Sequence, residues 1–242
     1  MVQLKYFGDK YDYFKYDLIT EVFKYSSLHH YVYIPMLTEH RDDKEGRTRP
    51  INRGSKSEEL RHYIVGRKTK SLKHWESWLN QYVRSYRTVE PVDSAFFSDA
   101  KRDGYWSGCR SILKEKNALV FVDPDTGLES GNLSYQLKAG REKYVLNNEL
   151  DILISELDPS SVLMLYQHLP RNIDQHHPGT EKKLRQAKTR RGVLHACAYR
   201  EDDLAFLFIA KQPDLHSEIK QLLMAYHSNS GHKFKSIHFE TG

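Results

Sequence analysis

The sequence predicts an α/β protein: a mostly parallel sheet with helices on both faces and an antiparallel hairpin towards its C-terminal end. Three observations carry that expectation. The apolar runs "ALVFV" (118–122) and "SVLMLYQH" (161–168) flank a helical repeat in "KYVLNNELDILISEL" (143–157), and strand, helix, strand is the unit of a parallel sheet. Two further apolar runs, "VLHACAY" and "LAFLFIA", are joined by only "REDD", which calls for a hairpin. With 39% hydrophobic and 12% aromatic residues among 242, the chain has enough apolar surface to build a core around such a sheet.

In chain order, Tyr11, Phe14, Leu18, Val22 and Tyr25 recur at three- and four-residue intervals, so an amphipathic helix opens near Asp9. "HHYVYIPML" reads as a strand stopped around Pro35. A basic stretch containing Gly and Pro follows, and we read it as an insertion near 41–70 within one α/β domain spanning 1–242. "KSLKHWESWLNQYVRSYR" is expected to be helical, with Trp75, Trp78, Leu79 and Val83 on one side. A further helix around "GYWSGCRSILKEK" leads into the strand "ALVFV". Leu146, Leu150, Leu153 and Leu157 mark the next helix, Pro213 starts another with Leu215, Ile219, Leu222 and Tyr226 on its apolar face, and "FKSIHF" closes as a strand.

The opening "MVQLKYFGDKYDYF" carries acids and lysines where a secretory signal needs an apolar stretch, and no apolar run approaches the roughly 20 residues of a membrane span. A cytoplasmic protein without a membrane partner is expected. Cys109 and Cys197 have no CxxC spacing, which leaves neither a disulfide framework nor a cysteine-rich zinc site; both are expected as free core thiols. No HExxH or comparable pair among the histidines identifies a zinc site either.

Charge is unevenly spread. Segments 47–74 and 181–191 together carry an excess of twelve positive charges, so the remainder is net negative by seven, because the formal total is +5. Basic segments beside an acidic remainder suit a protein that grips a polyanion and holds a cation elsewhere. Arg47, Arg49, Arg53, Lys68, Lys70, Arg171, Lys182, Lys183 and Arg185 are the candidate contacts to nucleic acid, DNA or RNA. Solvated surface segments are the plainer alternative.

The order of elements resembles the class I methyltransferase Rossmann fold, and "GDKYDYFKY", with Gly8, Asp12 and Lys15, resembles the opening helix of the 23S rRNA adenine-N6 methyltransferases. That resemblance implies a Rossmann-like sheet, S-adenosylmethionine as cofactor and a catalytic Asp-Pro-Pro-Tyr after a central strand. Here the cofactor turn is "YVYIPMLTEHRDD", without a glycine, and the catalytic motif reads Asp123-Pro124-Asp125-Thr126, with a carboxylate for the second proline and no aromatic ring. Both departures point away from methyl transfer.

The strand "ALVFV" ends in "DPDTGLE", and strand carboxyl ends line the ligand crevice of open α/β sheets. Two carboxylates this close repel, and a hard divalent cation such as Mg²⁺ or Mn²⁺ relieves the repulsion. If the opening helix packs as the resemblance implies, Asp9 and Asp12 join Asp123 and Asp125 in a four-acid metal site. Alternatively Asp9 only caps the helix and the acidic turn only bonds its own backbone. Reading on, Gln136 and Lys138 after Asp125 resemble the Asp…Gln-x-Lys variant of PD-(D/E)XK nucleases, which implies Gln136 as a further metal ligand and Lys138 as a group polarising the attacking water. His168 in "YQHLPR" is a candidate general base beside the turn, and Arg171 a candidate phosphate contact. The expected function is metal-dependent phosphodiester hydrolysis, with Asp123, Asp125, Lys138 and His168 in catalysis. A divergent S-adenosylmethionine-dependent adenine methyltransferase and a non-catalytic nucleic-acid-binding protein are the alternatives.

Overall fold

Apolar runs bounded by turn residues become the strands of one seven-stranded sheet. A computed structural model describes residues 8–38, 57–67, 71–89, 97–131, 134, 137–138, 140–170, 172–192 and 195–239. Its main strands are β1 (His30–Pro35), β2 (Ser85–Thr88), β3 (Ala118–Asp123), β6 (Val162–His168), β7 (His195–Glu201), β8 (Leu204–Ala210) and β9 (Lys235–Phe239), while β4 (Gly127–Leu128) and β5 (Tyr144–Val145) form a separate two-stranded ladder. The large sheet runs β2-β1-β3-β6-β8-β7-β9. β2, β1, β3 and β6 are parallel neighbours, and β8, β7 and β9 then add antiparallel pairings. This is the expected Rossmann-like α/β architecture with its C-terminal hairpin, extended by one edge strand.

Helices α1 (Lys10–Tyr25), α2 (Glu58–Val65), α3 (Lys73–Leu79), α4 (Arg102–Cys109), α5 (Asn147–Glu156), α6 (His176–Lys188) and α7 (Pro213–Asn229) cover both faces. Because side chains alternate along a strand, each strand feeds two cores. Tyr31 and Tyr33 of β1, Phe121 of β3, Tyr166 of β6 and Phe206 of β8 enter an aromatic core with Tyr13, Phe14, Tyr16 and Leu18 of α1, Trp75 and Trp78 of α3, and Leu222 and Tyr226 of α7. The other face is mainly aliphatic: Val32, Ile34, Val120, Val122, Leu163, Leu165, Leu207 and Ile209 meet Leu150, Leu153 and Ile154 of α5 and Leu184 and Ala187 of α6. Cys109 and Cys197 are buried in the core, as expected. Among the described residues no helix is long and apolar enough to cross a membrane.

One expectation is corrected. The helix read over 70–87 ends at Leu79, and Ser85–Thr88 instead pairs in parallel with His30–Tyr33. A four-residue edge strand that buries none of its residues completely leaves no period to read. The basic insertion is also partly packed. Ser57 caps α2 by accepting from the Leu60 N–H (3.2 Å), and Leu60 and Ile64 enter the aromatic core.

Candidate active site

Parity along the strands decides which side chains reach the carboxyl edge beside α1. Asp123 follows Leu119 and Phe121 on the aromatic face of β3, and His168 follows Met164 and Tyr166 on that face of β6. The N-terminus of α1 packs over this edge. Asp9 caps it by accepting from the Tyr11 and Asp12 N–H groups at 2.8 and 3.0 Å. Asp12 folds back to accept from the Gly8 N–H at 3.1 Å. Gly8 has φ +75°, and a Cβ there would stand 2.7 Å from Ile64 Cγ2, so the bend before the helix needs glycine.

One turn into α1, Lys15 is carried under the sheet edge. Its Nζ donates to Asp123 Oδ2 at 2.7 Å and to Asp12 Oδ1 at 3.2 Å, and it lies 5.1 and 5.8 Å from the ring centroids of Tyr166 and Phe121. Tyr33 donates its hydroxyl to the same Asp123 oxygen at 2.9 Å. Burial alone would lower the lysine's affinity for its proton, but Asp123 and Asp12 outweigh it and hold the ammonium charged. Asp123 is fully buried; that burial raises its pKa and Lys15 offsets part of the rise. Its Oδ1 is buried with no hydrogen-bond partner among the described residues. Burial, then the neighbouring Asp12, pushes Asp9 up to about 6.

The acidic turn is held by side chains from outside it. Gln167 accepts from the Leu128 N–H (2.9 Å) and donates to the carbonyls of Thr126 (3.2 Å) and His168 (2.6 Å). The His168 N–H donates to the Thr126 carbonyl (2.8 Å), and the Thr126 N–H to the Lys143 carbonyl (2.9 Å). Gly127 has φ +126°, and a Cβ there would fall 2.5 Å from Gln167. Asp125 is buried with Lys143 Nζ 3.8 Å from its Oδ2. Lys183 donates to the Leu128 and Glu129 carbonyls, both at 2.7 Å, and burial followed by repulsion from Lys182 lowers its pKa to about 8.

The acids are therefore at one edge but do not converge. Among the described residues, the three-ligand group whose donor atoms all lie within 4.8 Å of one another is His177, Glu181 and His238, and it includes none of Asp9, Asp12, Asp123 and Asp125. Lys15 stands where a cation on Asp123 Oδ2 would sit. Lys138 is helical and exposed, and Lys182 and Arg185 project from the exposed side of α6, whereas Lys183 faces the turn. Gln136, Arg47, Arg49, Arg53, Lys68, Lys70 and Arg171 lie outside the described residues.

Sequence reasoning missed the groups around His168. The imidazole is about one-third exposed, at 31%. Its Nδ1 is 4.0 Å from Asp203 Oδ2, which also accepts from the Tyr11 hydroxyl at 3.0 Å, and the Tyr11 and His168 rings are 5.5 Å apart. Asp203 sits in the hairpin "REDD", and it reaches His168 because β8 runs antiparallel beside β6 with Leu204 opposite His168. Burial lowers the His168 pKa, and Asp203 partly restores it. The usable signal was a pair of acids at a hairpin tip, which signifies nothing until the strand order is known. No family model, curated protein or solved structure matches this chain.

Proposed function

We propose that the protein cleaves phosphodiester bonds in nucleic acid at the carboxyl edge of β3 and β6, with His168 as the general base. The observation that supports this most is a partly exposed imidazole with its pKa lowered by burial, set against Asp203 and Tyr11, beside a buried charged cluster. Groups whose pKa is perturbed by burial and a specific charge partner cluster at functional sites. A neutral His168 takes a proton from water as the water oxygen bonds to phosphorus, the P–O bond to the leaving sugar oxygen breaks, that oxygen takes its proton from solvent, and Asp203 favours the imidazolium that forms. Exposed Lys182 and Arg185, with the basic segment 47–74, are proposed to meet the backbone phosphates.

Neither expected cofactor is assigned a role in this step. The four acids do not converge on one point, and the Lys15 ammonium would repel a cation bound to Asp123, so no step is assigned to Mg²⁺ or Mn²⁺. At the end of β1, Ile34 and Met36 are fully buried in the aliphatic core, and the Met36 N–H donates to the Asp123 carbonyl at 3.1 Å. The sequence from 31 to 43 offers no glycine for a close backbone approach to S-adenosylmethionine, and residues 39–43 lie outside the described residues. Nucleic-acid binding without turnover is the second reading, favoured by the closure of Asp123 under Lys15 and Tyr33.

Cleavage of single- and double-stranded DNA and RNA, measured in EDTA and in Mn²⁺, tests the proposal. Wild type is expected to cleave in EDTA, and His168→Asn to lose about 10²- to 10⁴-fold. Because burial depresses this histidine, the base is already deprotonated at pH 7; kcat/KM should rise with pH below the ordinary histidine value of about 6.5 and be flat above it. Activity that EDTA abolishes and Asp125→Asn removes would return the assignment to metal catalysis. Salt-dependent binding with no cleavage under any condition would establish the binding module instead.

A further inference from the structure

We propose that His177 and Glu181 of α6 and His238 of β9 form a binding site for a borderline first-row divalent cation, with Zn²⁺ the best match. It shares no residue with the His168 site and does not depend on the reading given there. His177 and Glu181 are four residues apart, so they stack on one face of the helix, and His177 Nε2 lies 3.3 Å from Glu181 Oε1. Two donors bound tetrahedrally at zinc distances stand roughly 3.3 Å apart, so this pair already has the spacing of a bidentate clamp. The third donor is brought by the sheet. His238 is opposite Ala198 of β7, and cross-strand partners share a face; Ala198 lies in the aliphatic core with Leu184 and Ala187 of α6, so His238 faces the helix. The His177 and His238 ring centroids are 4.5 Å apart, and one donor atom from each of the three residues lies within 4.8 Å of the others.

The surroundings suit a ligand more than a chance pair. His238 is buried, its Nε2 is 2.8 Å from Ser236 Oγ, and that hydroxyl accepts from Arg200 Nε at 2.9 Å, an outer contact of the kind that fixes the orientation of a metal-binding ring. The Glu181 carboxylate supplies the negative charge that a cation near Arg200 needs. His177 and Glu181 are 61% and 43% exposed, which leaves the remaining coordination positions to water. Nitrogen and carboxylate donors together favour Zn²⁺ over Mg²⁺. A bound ion would tie edge strand β9, paired only through β7 in the described sheet, to α6.

The test uses the tag-free full chain, stripped with EDTA and dialysed, then titrated with ZnCl₂ by calorimetry and followed by thermal melting. We expect one Zn²⁺ per chain, a saturable rise in Tm, and no response to MgCl₂ at the same concentration. His177→Ala, at an exposed position that the fold does not need, should weaken Zn²⁺ binding at least tenfold and remove the Tm rise; Glu181→Gln should weaken it less, and exposed His62→Ala should change neither. Absence of saturable one-to-one binding overturns the site. So does binding unchanged in His177→Ala, which would place the ion on other histidines, or an equal response to Mg²⁺, which would contradict the donor set.

Discussion

At the scale of single residues, Asp9 separates two roles that a helix-capping carboxylate usually combines. Its oxygen satisfies two orphan N–H groups of α1, while its charge is buried beside Asp12 and its pKa is raised to about 6. A carboxyl group whose folded pKa exceeds its unfolded value weakens the fold as pH rises through that window, here from about 4 to 6, and the penalty is constant above it. Asn caps as well as Asp without the charge. Asp9→Asn should therefore match wild type near pH 4 and exceed it at pH 7 by about 3 kcal/mol in denaturant unfolding. Asp9→Ala should instead lose about 1 kcal/mol of capping at pH 4. Asn no more stable than wild type at pH 7 would mean that Lys15 and the Tyr11 and Asp12 N–H groups fully compensate the buried charge.

Elements determine whether the site's residues are held still. The turn between β3 and β4 is short and acidic, yet its backbone is pinned by Gln167 of β6 and Lys183 of α6, so three elements share one hydrogen-bond network. Gly127 is the point where this network tolerates no side chain, because a Cβ would strike Gln167 and the backbone has φ +126°. Gly127→Ala should cost about 1–3 kcal/mol of stability. It should also displace His168, whose own N–H is bonded to the Thr126 carbonyl, and so lower cleavage as well. A variant of wild-type stability would show that the turn can shift away from β6. The same logic marks Lys183 as a structural cation: removing it should change the melting temperature more than the affinity for an oligonucleotide.

For the whole molecule, the separation of charge matters most. Buried acids gather under the strand edge, while α6 presents Lys182 and Arg185 to solvent from its exposed side. If that face meets phosphates, log affinity for a generic oligonucleotide falls linearly with log salt, by about 0.7–0.9 per contact neutralised. Lys182→Ala with Arg185→Ala should therefore flatten the slope by about 1.4–1.8 when both contact phosphate. Arg185 is also 3.9 Å from Glu181, a surface pair whose loss costs little stability, so Tm should barely move. An unchanged slope would assign these charges to solvent.

The sequence by itself determined the α/β class, the antiparallel hairpin and most of the helices, because each rests on local periodicity that survives in any tertiary context: the 3.6-residue repeat of α1, α5 and α7, and the apolar runs of β3, β6, β7 and β8. It also singled out the strand end at Asp123 and the histidine at 168. It did not resolve β2, whose four edge residues lack a pattern, or the packing of α2 inside a basic stretch. Only the tertiary structure decided which charges meet. Lys15 lies 108 residues from Asp123 and occupies the position where the acids alone suggested a cation. Asp203 reaches His168 through the pairing of β8 with β6, and His238 reaches His177 and Glu181 through the pairing of β9 with β7. Contacts of this kind depend on strand order and on the parity of side chains about the sheet, and neither is encoded in the spacing of the residues that come together.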